Sequence, residues 1–103
     1  MTPQPPYAAV IFTSKRTAEE AGYAEAAARM EALAASAPGY LGHRAARGPD
    51  GLGITVSYWR TREDADAFRR QPDHRAVQAE GRSAWYDWYV SETAVVERVR
   101  TMP

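Results

Sequence analysis

Apolar positions along the chain alternate between a spacing of two and a spacing of three to four, and the changes of period mark out its elements. Tyr7 to Ser14 is an apolar run rich in aromatic and β-branched residues between prolines and a polar cluster, which predicts a buried first strand. Thr17 and Glu20 carry the spacing of a capping box, predicting a helix start. In the helix that follows, Tyr23, Ala27, Met30 and Ala34 share a face with Ala26, Leu33 and Ala37, the stripe of a helix packed on a sheet, until Pro38-Gly39 ends it. Tyr40 to Arg47, Gly48-Pro49-Asp50-Gly51 and Leu52 to Trp59 read as strand, turn and strand. Ile54, Val56 and Tyr58 then share one face and Thr55, Ser57 and Trp59 the other, so one side is apolar and the opposite side mixed.

A second cap, Thr61 with Asp64, opens a short helix facing inward through Ala65 and Phe68, and Pro72 interrupts it. Asp73 is placed to cap another helix, on which His74, Gln78, Gly81 and Trp85 follow one another by helical steps, with Val77, Ala84 and Trp88 beside them. A last strand is expected near Trp88 to Arg100, holding Val90, Val95, Val96 and Val99. Strand, helix, strand, strand, helix, strand is the βαββαβ order of a ferredoxin-like α+β sandwich, a four-stranded antiparallel sheet with helices on one face. The bare face of such a sheet predicts association, with a face-to-face homodimer the natural form.

The chain of 103 residues allows one domain, expected over 7–103, after a proline-rich lead over 1–6 that reads as flexible. Hydrophobic residues make up 45% and charged residues 25%, as in an ordinary soluble domain, and neither a disordered nor a fibrous chain is expected. Thirteen basic residues balance thirteen acidic ones, so nucleic acid and membrane surfaces are poor partners. The run Ala8 to Phe12 is too short for a signal peptide or a membrane span, which leaves the cytoplasm as the expected compartment. The absence of cysteine rules out disulfides, thiolate nucleophiles and cysteine metal sites. There is no asparagine either, and Lys15 is the one lysine.

Tyr-Ala-Ala-Val-Ile-Phe-Thr-Ser at 7–14, Ala-Pro-Gly-Tyr-Leu-Gly at 37–42 and Gly-Ile-Thr-Val-Ser-Tyr-Trp at 53–59 carry a resemblance that spans almost the whole chain. Pro-Asp-His-Arg-Ala-Val-Gln-Ala-Glu-Gly-Arg at 72–82, followed by Trp85-Tyr86, completes it. Together they resemble the antibiotic biosynthesis monooxygenase family of dimeric α/β-barrel domains. The resemblance implies a homodimer with a small pocket in each subunit between helices and sheet. It also implies activities ranging from cofactor-independent oxygenation of aromatic polyketides and quinols to oxidative haem degradation. Haem-degrading members use an asparagine on the first strand, a tryptophan on the second helix and a histidine further along. Here His74 matches the histidine and Phe68 stands nearest the tryptophan, while Phe12 or Ser14 lies where the missing asparagine would be.

His74 is the candidate general base, since an imidazole titrates near neutrality and can take a proton from a phenol or quinol. Trp59, Phe68, Trp85 and Phe12 are the candidate walls for a small aromatic substrate, with core packing as the competing explanation for each ring. His43 reads as a surface residue, and two histidines without a carboxylate pair form no metal motif, so no bound metal is expected. Haem held by His74 as a single axial ligand is the remaining cofactor possibility. Arg69, Arg70, Arg75 and Arg82 form either a solvated face or a site for an anionic group. The three functional readings that result are a cofactor-independent monooxygenase, a non-catalytic binder of a small hydrophobic molecule, and a haem-binding protein.

Overall fold

A computed structural model describes residues 3–80 and 84–102. The elements run β1 (Tyr7–Arg16), α1 (Tyr23–Ala35), β2 (Tyr40–Arg47), β3 (Leu52–Trp59), α2 (Arg62–Arg69), α3 (Pro72–Glu80) and β4 (Tyr86–Val96). The four strands form one antiparallel sheet in the order β2-β3-β1-β4, the ferredoxin-like α+β arrangement that the pattern predicts. β2, β3 and the Thr61 cap, whose hydroxyl accepts from the Asp64 N–H at 3.1 Å, fall where local signals put them. The α1 stripe is also as expected. Ala26 is buried and Tyr23, Ala27, Met30, Leu33 and Ala34 are half-buried, while the other positions of that helix are exposed.

Three local expectations are corrected. The Thr17 and Glu20 capping box does not form. The Thr17 hydroxyl oxygen accepts from the Glu19 N–H at 3.2 Å, its proton goes to the Ala84 carbonyl at 2.7 Å and the Thr17 N–H bonds the Trp85 carbonyl at 2.9 Å, so β1 continues to Arg16 and the helix begins at Tyr23 behind a left-handed Gly22. Asp73 does not cap α3, which starts at Pro72, because the Gln71 side-chain oxygen already takes the His74 N–H at 2.8 Å. The last strand starts and stops earlier than its valines imply, at Tyr86 and Val96, and Val99 lies beyond it.

Cross-strand partners share a face, so the register sorts the sheet. Ala8, Val10, Phe12 and Ser14 lie with Trp59, Ser57, Thr55 and Gly53 on the helix side. There Trp59 at 1% exposure, Ala8 and Ala65 form the core, with Val10, Ala34, Ala37, Tyr40 and Phe68 packed against them. Leu52, Ile54, Val56 and Tyr58 lie with Ile11, Thr13, Val90 and Trp88 on the other side, which no helix covers. The helices therefore cover the mixed face and leave the more apolar one open. Arg60 ties down the start of the chain, donating to the Gln4 and Pro6 carbonyls at 2.8 Å each.

Candidate functional site

On the helix side, the end of β3 and the start of α3 meet across α2. Phe68 is three residues beyond buried Ala65 and so faces the sheet, its ring centroid 5.0 Å from that of Trp59. The His74 imidazole, in the first turn of α3, stacks on the Phe68 ring at 4.6 Å. Trp59 also meets Tyr40 edge-on at 5.4 Å. His74, Phe68, Trp59 and Tyr40 are thus one continuous row of rings from α3 to β2.

His74 is fixed at both ends. Its backbone N–H goes to Gln71 and its Nδ1 lies 3.0 Å from the Phe68 carbonyl. A carbonyl only accepts, so Nδ1 carries the proton and Nε2 keeps the lone pair. Burial pushes the imidazole pKa down and the Arg69 charge pushes the same way, against the pull of the Phe68 carbonyl. The neutral form, a base at Nε2, therefore persists below the usual histidine range.

Sequence periodicity predicts His74 and Trp85 on one stripe, which passes through residues outside the described ones, and the two have different neighbours. α3 ends at Glu80, and Trp85 sits just before β4, where its indole N–H donates to the Ala21 carbonyl at 2.9 Å and its ring meets Tyr23 edge-on at 5.9 Å. Gly81 on that stripe and Arg82 of the arginine group lie outside the described residues. Phe12 belongs with Trp85 rather than with His74, packing on Tyr86 at 5.5 Å and Tyr89 at 5.1 Å. In this second group the Arg16 guanidinium lies 3.4 Å over the Tyr23 ring, and fully buried Ser14 accepts from Arg47 Nη2 at 2.8 Å. Burial and the Tyr23 hydroxyl push the Tyr86 phenol up to about 12, so it stays neutral. Among the described residues no ring contact joins the two groups.

A groove of about 290 Å³ lies beside the first group, between the end of α1 and α2, with Leu33, Ala37, Asp64, Phe68 and Gln71 in its walls. It meets the ring row at Phe68 and is not lined by His74. Among the described residues one face of His74 is covered by Phe68 and His74 lines neither groove, so they form no slot that fits an axially held haem there. Among the described residues no group of three or more metal-ligating side chains is found, and no helix is long and apolar enough to cross a membrane. Arg69, Arg70 and Arg75 are exposed, Arg69 facing Asp66 at 4.0 Å.

Sequence reasoning missed the partner of Tyr40. β2 is bulged at Leu41, since Tyr40 stands opposite Trp59 and Gly42 opposite Tyr58. The extra residue brings Tyr40 and His43, three apart, onto the same face. The Tyr40 hydroxyl lies 2.6 Å from His43 Nδ1, and His43 Nε2 lies 3.6 Å from a Glu31 carboxylate oxygen on α1. Gly42, at φ 135, is the signal for this break in alternation.

A sheet of this order, helices on one side and an aromatic row beneath them define a class, and a family model for antibiotic biosynthesis monooxygenase matches residues 6–80. The chain belongs to that family. It is 46% identical over 99 residues to the uncharacterized protein YqjZ of Bacillus subtilis, covering 96% of this chain and 87% of that one. Its fold is similar to that of SnoaB, a cofactor-independent oxygenase from Streptomyces nogalater, with a TM-score of 0.74 at 18% identity over 96% of this chain and 99% of that one. It is also similar to a dimeric ferredoxin-like protein from Thermobifida fusca, with a TM-score of 0.69 at 14% identity over 90% and 93% of the two chains.

Proposed function

We propose that this protein is a cofactor-independent monooxygenase of small, electron-rich aromatic compounds, phenols or quinols, working as a homodimer with His74 as its base. The observation that carries the reading is the neutral, half-buried imidazole whose tautomer is set by the Phe68 carbonyl, leaving Nε2 able to accept a proton. His74 takes the phenolic proton. The resulting anion gives one electron to dioxygen, the phenoxyl and superoxide radicals combine at ring carbon as a peroxide anion, His74 returns its proton to give the hydroperoxide, and loss of water with the hydrogen of that carbon leaves one oxygen as a new carbonyl. Phe68, in the wall of the groove, offers an apolar flank for the ring with buried Trp59 packed behind it, and Phe12 and Trp85 belong to the second set of rings, near β4. Family membership and the likeness to SnoaB support oxygen chemistry of this kind.

The homodimer rests on surface area. The single chain exposes 7038 Å², against roughly 5,800 Å² for a compact monomer of its mass. The excess is of the order of the ~800 Å² that each partner buries in a standard interface, and Leu52, Ile54, Trp88 and Val90 on the open face are each 44–49% exposed. The relative from Thermobifida fusca is described as dimeric.

Dioxygen uptake with a panel of quinols tests the chemistry. Uptake is expected to fall by about 10² in His74→Ala, the scale of a lost general base. Absence of uptake by the native protein with every quinol tried overturns the enzyme reading, and quinol-induced thermal stabilisation without uptake makes this a binding protein instead.

A further inference from the structure

We infer that Tyr40 is a redox-active tyrosine, a proton-coupled exit through which an electron vacancy on buried Trp59 leaves the core for the surface. A phenol gives up an electron readily only if its proton has somewhere to go in the same event, because the oxidised phenol is a strong acid. Tyr40 has that acceptor at 2.6 Å in His43 Nδ1. The Glu31 carboxylate beside Nε2 favours the tautomer with its proton on Nε2, which leaves Nδ1 as the acceptor, and it faces the imidazolium that then forms. Trp59 lies at the junction of the row, 5.4 Å from Tyr40 and 5.0 Å from Phe68.

The indole N–H of Trp59 donates to the Ser57 hydroxyl at 3.0 Å. A hydroxyl is too weak a base to remove that proton, so an oxidised Trp59 stays a cation and keeps its full power to oxidise a phenol. The balance is then simple. A peroxyl radical takes one electron from Trp59 and one proton from solvent, and becomes a hydroperoxide. Tyr40 returns one electron to Trp59, its hydroxyl proton passes to His43 Nδ1, and a neutral tyrosyl radical remains. A thiol or an enediol reductant at the surface restores the phenol, and His43 gives up its proton. Glu31 comes from α1, and Tyr40 and His43 from β2, so the exit is assembled only in the folded chain.

The test is pulse radiolysis of the whole chain with azide radicals, which oxidise indoles, in a Trp85→Phe, Trp88→Phe background that leaves Trp59 as the one tryptophan. No aromatic substrate is present, so the outcome is independent of dioxygen chemistry at His74. The expected result is a fast phase in which an indole radical is replaced by a tyrosyl radical. That phase is lost in Tyr40→Phe and slowed about tenfold or more in His43→Gln, which can hold the phenol hydrogen bond but cannot keep its proton. A fast phase that survives unchanged in Tyr40→Phe, or is absent from the protein whose one tryptophan is Trp59, overturns the inference. Circular dichroism of each variant shows that the fold is retained.

Discussion

Replacing Ile54 by lysine tests how the open face is covered. Ile54 lies in a row with Ala46, Thr13 and Val90 across the sheet and is 47% exposed in the single chain. In a lone molecule the lysine keeps its ammonium in water, and the cost is within about 0.5 kcal/mol. In a face-to-face pair the same ammonium is pressed against apolar side chains, at about 3 kcal/mol or more for an unpaired buried charge. The two-fold axis repeats the insult, so the pair loses about 6 kcal/mol, roughly 10⁴-fold in dissociation constant. Sedimentation equilibrium measures this directly, with Ala28→Lys on the exposed side of α1 as the control that leaves association unchanged. A native protein that sediments as a single chain at high micromolar concentration refutes the reasoning. So does an Ile54→Lys protein that pairs as tightly as the native one.

Two further perturbations read the helix side. Because burial lowers the His74 pKa below its ordinary 6.5, the unfolded chain binds the proton more readily. Native stability is therefore full above about pH 6.5 and declines as pH falls from there toward the lowered value, and His74→Gln flattens that decline in urea titrations at pH 5 to 7. Gly39→Ala is expected to cost roughly 2–4 kcal/mol, because Gly39 has φ +81 and the new Cβ would sit 2.1 Å from Asp64 Oδ2 and 2.7 Å from Asp64 Cβ. Chemical denaturation reads it, and a loss below about 1 kcal/mol would mean that the first turn of α2 yields freely.

What the sequence discloses here follows the range of the interactions concerned. β2, β3, their turn, the Thr61 cap and the α1 stripe are written in neighbouring residues, and each is found where those residues point. Thr17 fails as a cap because its N–H and its hydroxyl proton are tied to Trp85 and Ala84, 67 residues away in the latter case, which holds it at the end of the sheet. The anchoring of Trp85 comes from far along the chain, from Ala21 at its indole N–H and Tyr23 at its ring edge. The row from His74 to Phe68 to Trp59 is half legible, since Phe68 and His74 are close in sequence while Trp59 joins them only when α2 lies on β3. Tyr40 with His43 is invisible to any argument from strict alternation, which sets residues three apart on opposite sides.

Leu41 acts as a change of parity within one strand. Its side chain can be exchanged while the odd and even positions on either side keep their meanings. Flattening the bulge with Leu41 kept would set Leu41 opposite Trp59 and turn Tyr40 about, to the uncovered side, whereas deleting Leu41 would leave Tyr40 opposite Trp59 in a regular ladder. The bulge is what lets the strand carry one residue more without moving Tyr40 from its partner.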